Sequence, residues 1–411
     1  MSTKTSKYRK KKQKIRTKNE KLEEKEQEKE FTETEKKFNE LYPYLQKDKD
    51  FRYLRKFMQS RLNKSGGVRL LSKKEAKRQR VYCWQLIKTI GKEILEGKEL
   101  TSISMPIGLF EPRSFLERLS DGFAYAPIYL ERAYESTTPV ERLKNVITFA
   151  VSCIHLSLTN SKPFNPILGE TFQSNLSNGT TIFCEQTSHH PPASSYELIG
   201  PNNNYYYYGQ QIWSASFRGN KIKCTQTGAN TLEFKDGTTI VWDNPTISIS
   251  GILMGDRITN FRGSIKFADK KNDLEAQVIF DPSQLGFFKG LVFSRKLPTH
   301  SVAGTIYKLS ESKNKNKKII STLSGTWLDQ IYFDEKLYWD IDENIPERPM
   351  PIKNPLPSDS LFRKDRNALL KLNMKESGEL KVKLEQKQRY DRKLRAKCEK
   401  LKKKKKKKTK K

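Results

Sequence analysis

Three two-residue turn signals, Asn178-Gly179, Gly219-Asn220 and Asp236-Gly237, follow one another along the middle of the chain, each between runs of β-branched and aromatic residues. Asn, Asp and Gly reach the positive φ that a tight hairpin needs, so Phe172 to Cys184, Tyr205 to Cys224 and Leu232 to Trp242 read as β-hairpins. Successive hairpins imply an antiparallel meander. Further strand-like pieces, Val278-Ile-Phe280, Gly304-Thr-Ile-Tyr307 and Gly325-Thr-Trp327, lengthen it. An antiparallel sheet of that size normally curls and closes. The expectation is a large barrel over about residues 165–330, with room for a ligand cavity.

Helical texture flanks the strands, which makes the expected fold class α+β dominated by β. Ser114-Phe-Leu-Glu-Arg-Leu119 and Pro139-Val-Glu-Arg-Leu-Lys-Asn-Val-Ile-Thr-Phe149 place helices within residues 111–158. Upstream, Cys83, Leu86, Ile87, Ile90 and Ile94 recur at helical spacing, so Val81 to Leu95 reads as one short amphipathic helix entered from basic Lys73 to Arg80. Its apolar face suits either ordinary core packing or a cover over the barrel. Pro355 to Asp365 reads as a loop and Asn367 to Lys400 as a helix. No internal repeat of solenoid length is present.

The formal charge of +32 suggests a nucleic-acid binder until it is located along the chain. Residues 1–80 carry 27 Lys and Arg against 12 Asp and Glu, and residues 392–411 carry 14 against 1. Residues 81–391 are nearly neutral, at 38 against 34, so the basicity belongs to the ends. The first 37 residues hold too few apolar groups to offset the entropy of ordering, and residues 1–77 read as a largely disordered arm. Lys402 to Lys408 make residues 396–411 a poly-lysine tail. Five widely spaced cysteines without CxxC pairs read as reduced, structural thiols. No apolar run approaches the length of a membrane span, and no apolar segment follows the Lys-rich start. The expectation is a cytosolic protein that meets membranes from outside.

Enzyme templates are missing: no GxSxG elbow, phosphate-binding GxxxxGK loop, HExxH or GxGxxG occurs. No catalytic residue, metal or cofactor is expected. The densest cluster of hydrogen-bonding groups is Glu185-Gln-Thr-Ser-His-His-Pro-Pro192, placed directly after a predicted strand. Imidazoles, hydroxyls and an amide converging at one mouth are what a phosphate needs. The plainer reading is a polar turn stopped by Pro-Pro. A zinc pair at His189 and His190 is disfavoured, because adjacent residues of an extended segment point to opposite faces.

That eight-residue string resembles the hallmark of the oxysterol-binding-protein-related family of lipid-transfer proteins. Lys162-Pro-Phe-Asn-Pro-Ile-Leu-Gly-Glu170 is similar to the family's lysine and asparagine segment, and Met105-Pro-Ile-Gly-Leu-Phe-Glu-Pro-Arg-Ser114 to the strand after its lid. Lys381-Val-Lys-Leu-Glu-Gln-Lys-Gln-Arg389 is similar to its C-terminal headgroup helix. The resemblance covers about residues 78–395. It implies a large incomplete antiparallel β-barrel enclosing a lipid tunnel, with a lid at about residues 82–95, helices before the barrel, and a C-terminal helical subdomain over 331–395.

The resemblance also implies that one lipid at a time is drawn into the tunnel beneath the lid, whose candidate residues are Trp84, Leu86, Ile87 and Ile90. Phosphatidylinositol 4-phosphate is the ligand the family shares. Its headgroup would be held by Lys162, Asn165, His189, His190, Lys381, Glu385 and Arg389. The last three lie at i, i+4 and i+8, on one helical face. Taken without the other motifs, that face is a solvated charged surface. Glu385 would accept from inositol hydroxyls or orient Lys381 and Arg389.

The second lipid, sterol or phosphatidylserine, varies between branches. Glu111-Pro-Arg-Ser114 resembles the phosphatidylserine branch and Gly108-Leu-Phe110 departs from it, so both stay open. Glu30-Phe-Thr-Glu-Thr-Glu35 loosely resembles a motif that docks to endoplasmic-reticulum receptor proteins, but lacks its second aromatic; a solvated arm is the other reading. Lys402 to Lys408 suit an anionic membrane surface. The rival reading is a basic nucleic-acid-binding protein. Against it stand the near-neutral centre and the absence of RNP1-like or zinc-knuckle strings.

Overall fold

The computed structural model describes residues 62–63, 66–69, 71–91, 96–100, 103–158, 161–282, 298–314 and 317–408, without the side chains of Ile90, residues 96–99 and residues 403–408. The segment Glu30 to Glu35, the end of the expected lid at residues 92–95, the Ile90 side chain and most lysine side chains of the tail therefore lie outside the described residues.

Three short strands come first: β1 (Glu96–Glu99), β2 (Phe110–Ser114) and β3 (Lys162–Phe164). The meander then runs through β4 (Thr171–Asn175), β5 (Thr181–His189), β6 (Pro192–Ile199), β7 (Tyr205–Arg218), β8 (Lys221–Thr227), β9 (Asn230–Phe234), β10 (Thr239–Trp242), β11 (Thr246–Ser250) and β12 (Ile258–Asp269). It continues through β13 (Leu274–Phe280), β14 (Ser301–Lys308), β15 (Ile319–Thr326), β16 (Gln330–Phe333) and β17 (Lys336–Asp340), with β18 (Met350–Pro351) last. Each predicted turn joins two strands, with Gly179, Gly219 and Gly237 at φ of +90°, +62° and +80°.

β8 and β9 lie in line along β7, and β10 and β11 lie in line along β12. The meander is thus a succession of long bent strands. The bend between β8 and β9 sits at Gly228, at φ +109°, where a Cβ would fall 1.8 Å from the Gln210 carbonyl oxygen. β18 adds to the free edge of β4, and β1 to β7. Among the described residues the outermost strands of this 16-stranded sheet, β17 and β18, do not pair with each other, so the barrel is incomplete.

One end of the sheet is packed solid and the other is more open. In β9, β10 and β13 nearly every inward residue is buried, and Tyr207, Trp242 and Phe267 stack in a row, with ring centroids 5.2 and 5.5 Å apart. The helices α2 (Phe115–Asp121), α3 (Ala126–Glu135) and α4 (Pro139–Ser152) cap that end, with Phe123 and Phe149 meeting the Tyr207 ring edge-on. By contrast every residue of β11 and most of β8 is half-buried, with Phe217 near the end of β7 buried among them.

Over that open end lies α1 (Lys73–Ile90), preceding the others in the chain. Ser72 caps it by accepting from the Glu75 N–H at 3.1 Å, and Gly91 closes it at φ +81°. Basic Lys73 to Arg80 is therefore the first half of this helix, not a leader into it. Residues N-terminal to the expected domain start at 78 are packed too: Val68 is fully buried and exchanges two backbone hydrogen bonds with Thr259. Residues 111–114, expected to be helical, form β2, parallel to β3, with the helix beginning at Phe115. Glu117 caps the junction by accepting from the Ser114 N–H at 2.8 Å.

After β18 the chain forms α5 (Lys364–Leu370), breaks at Leu372 with φ +58°, and resumes as α6 (Met374–Lys408), 35 residues long. The helix expected from Asn367 is thus two helices, and the second runs through the lysine tail.

Candidate functional site

Phe110 and Phe164, neighbours across the β2–β3 pair, pack ring to ring at 5.1 Å and bury against Leu369 of α5. This apolar knot anchors the turn after β3, which carries Asn165, beside the first turns of α6. The end of β5 meets them there. The result is a cleft of about 170 Å³ lined by Asn165, His189, His190, Lys381, Glu385, Gln388, Arg389 and Arg392, and on its fourth side by the strap Ile103, Ser104 and Met105.

Six of the seven residues singled out in the sequence line this cleft, and the seventh, Lys162, lies beneath, its ammonium donating to Asn165 Oδ1. Lys162 and Lys381 each hold an Nζ 5.1 Å from the Phe110 ring centroid. Lys381 donates to Glu385 Oε1 at 2.6 Å and to Ser104 Oγ at 3.1 Å, and Ser104 donates to Glu385 Oε2 at 2.7 Å. Arg389 stands 3.6 Å from the same carboxylate. Glu385 therefore gathers the two cations of its helix face.

The His189 and His190 rings lie edge to face, 4.6 Å apart. Strand alternation, which sent them to opposite faces in the sequence reading, does not apply, because His190 already belongs to the turn beyond β5. Both line the cleft, with Gln388 Nε2 3.5 Å from His189 Nδ1. Burial, then His190, Arg392 and Arg395, pulls the His189 pKa down to about 4. His190 is lowered by burial and Arg392. Burial and the charge of Lys381 bring Lys162 down to about 8. Burial and neighbouring cations thus hold these groups toward their neutral forms, and a bound anion would push them back toward the charged ones. Among the described residues no group of three or more His, Cys, Asp or Glu side chains has metal-holding spacing.

A buried ionic scaffold holds the walls in register. Arg363 donates to Asp365 at 3.0 and 2.7 Å, to Glu170 at 2.9 Å and to the Asn165 carbonyl at 2.8 Å. Arg366 grips Glu117 with two hydrogen bonds of 2.9 and 2.7 Å, and Arg113 grips Asp121 at 2.5 and 3.1 Å. The Ser114 hydroxyl donates to Glu170. Glu111, Arg113 and Ser114, read in the sequence as a guide to the second lipid, belong to this scaffold and do not line the cleft.

The inner face of α1 places Leu86 and Ile87, with Cys83, against Leu100, Phe217 and Ile252, where Ile222 and Ile249 of the half-buried strands also pack. Trp84, another of the lid candidates, is 45% exposed, on the outer side. At 100° per residue it sits about 200° from Leu86, so it cannot share a face with it. Ser104, Gln388, Arg392 and Arg363 were not singled out in the sequence. Gln388 and Arg392 extend the 381/385/389 stripe and were within reach of the same argument; Arg363 and Ser104 gave no local signal. No helix among the described residues is long and apolar enough to cross a membrane.

The family model for oxysterol-binding protein matches residues 82–344. Oxysterol-binding protein 9 of Dictyostelium discoideum is 42% identical over 348 residues, 82% of this chain and 81% of that one. Oxysterol-binding protein-related protein 1 of Mus musculus is 32% identical over 57% of this chain, a match spanning 24% of the relative's length. Among solved structures, the Osh1 ORD domain in complex with cholesterol superposes with a TM-score of 0.63 at 21% identity, covering 78% of this chain and 81% of that one. The Osh3 ORD in complex with PI(4)P from Saccharomyces cerevisiae gives 0.58 at 24% identity, over 75% and 83%.

Proposed function

The chain belongs to the oxysterol-binding protein family, and on that premise we propose that it is a lipid carrier, not an enzyme, which draws one membrane lipid at a time under α1 and reads a phosphatidylinositol 4-phosphate headgroup in the cleft. The observation that carries the reading is the convergence of anion-binding side chains, charged and neutral, from three distant segments. Lys162, His189, His190, Lys381 and Arg389 meet around one small opening, with Asn165 and Glu385 as partners for hydroxyl groups. Two of the solved relatives bear on the ligands: Osh3 ORD holds PI(4)P, and Osh1 ORD holds cholesterol or ergosterol. Here the second lipid is a sterol or phosphatidylserine, exchanged against the phosphoinositide between membranes.

The protein acts from the cytosol, peripherally. Lys402 to Lys408 favour an anionic bilayer, at about 1 kcal/mol per lysine near the surface, weakened by salt. A receptor contact would run through Glu30 to Glu35, outside the described residues. Extraction of phosphatidylinositol 4-phosphate from vesicles is the test. Replacing His189 and His190 together with alanine abolishes it while the fold and second-lipid binding persist; a folded double variant that still extracts the phosphoinositide sinks the assignment. Mass spectrometry of co-purifying lipids identifies the second ligand.

A further inference from the structure

Beyond the cleft, α6 leaves the folded body: residues 392–402 are all exposed. On this otherwise polar stretch, Tyr390, Leu394, Cys398 and Leu401 recur at i, i+4, i+8 and i+11, and at 100° per residue they fall within an arc of about 80°. Tyr390 is 62%, Leu394 44% and Leu401 52% exposed. The stripe points roughly opposite to the cleft-facing residues Lys381, Glu385 and Gln388. An apolar stripe on solvent does not stabilise a free helix, so its pattern asks for a partner.

We infer that the stripe Tyr390, Leu394, Cys398 and Leu401 is a membrane-docking face, on which α6 lies along an anionic bilayer with its apolar side in the headgroup boundary. This deepens the proposed membrane role of Lys402 to Lys408 and rests on it. Charge selects the occupant. Over residues 387–402 eight Lys and Arg stand against Asp391 and Glu399, and the six further lysines that end α6 add to them. A second copy of this helix would bring like charges face to face. An anionic surface neutralises them, and the lysine stems flanking the stripe snorkel while their ammoniums reach phosphates. The lysines alone would steer the protein to a surface; the stripe adds an insertion that salt does not screen.

Cys398 supplies the test, since it is the exposed cysteine of the five and sits on the stripe. An environment-sensitive fluorophore on Cys398 of the full chain is followed on addition of phosphatidylcholine vesicles with and without phosphatidylserine, a Cys398→Ser chain giving the labelling background. A blue shift with the anionic vesicles alone is expected. Leu394→Gln/Leu401→Gln, which keeps every charge, binds them at least about tenfold more weakly, with unchanged helix content and unchanged affinity for a short-chain soluble phosphoinositide. Unshifted emission from vesicle-bound protein overturns the inference. So does a double variant that binds vesicles normally while truncation after Leu401 abolishes binding, a result that leaves the lysine reading standing. A concentration-dependent dimer lost in the double variant, with vesicle binding intact, assigns the stripe to a second copy instead.

Discussion

Arg363 is the residue on which the cleft's geometry most depends, and Arg363→Met removes its charge while keeping an unbranched side chain over the Phe164 ring, where the guanidinium now lies 5.2 Å from the centroid. The change leaves Glu170 and Asp365, whose side chains have no exposed surface, without their shared cation. Removing one partner of a buried ion pair destabilises by about 3–5 kcal/mol. At about 2 °C per kcal/mol for a domain of this size, the melting temperature falls by about 6–10 °C. Circular dichroism melts of the variant and the parent measure it. The cause can be separated from simple misfit. Burial already pushes the Glu170 carboxyl upward, so Glu170→Gln in the Arg363→Met background removes a charge that has lost its reason to be there, and should recover at least about 2 °C. A single variant melting within about 2 °C of the parent would refute the claim that this network holds the walls together.

Three further outcomes are expected. Lys381→Ala loses charge-assisted hydrogen bonding of about 1.5–3 kcal/mol, so affinity for a short-chain phosphatidylinositol 4-phosphate falls roughly 10- to 100-fold by calorimetry; equal affinity removes Lys381 from the site. His155, stacked on Trp339 at 5.6 Å and edge-on to Tyr125, has its pKa lowered by burial to about 3. As pH falls through about 6.5 the unfolded chain takes up this proton and the folded one does not, so stability drops by about 1.4 kcal/mol per pH unit until about pH 3. His155→Phe keeps the stacking, and its loss of stability between pH 7 and pH 4, measured by urea unfolding, should be smaller by about 3 kcal/mol. Truncation after Leu401 slows lipid transfer from anionic donor vesicles at low salt; transfer equal to the full chain's reduces the lysine run to a solubility tail.

The meander was legible because each hairpin is a local event: Asn178-Gly179 and Asp236-Gly237 impose their turns whatever lies elsewhere. The cleft was legible through short motifs carried by resemblance, and the helical stripe of Lys381, Glu385 and Arg389 through geometry. What was not legible depends on distant partners. Glu111 to Ser114 carries a helical polarity pattern continuous with α2, and only the resemblance gave it as a strand; pairing with β3, some fifty residues on, makes it one. Glu117 meets Arg366 across 249 positions, and no local window contains both. Trp84 is set apart by the helix axis alone: it stands about 200° from Leu86, and its ring is exposed.

Ser104 ties one wall of the cleft to the facing helix. Its hydroxyl holds Lys381 and Glu385, while its neighbours Ile103 and Met105 pack in the cluster beneath α1. A phosphate bound as proposed would have to exchange with one of these hydrogen bonds, which offsets part of what the charge-assisted contact contributes. The same strap packs beneath α1 through Ile103 and Met105, so the cleft and α1 are joined through three consecutive residues.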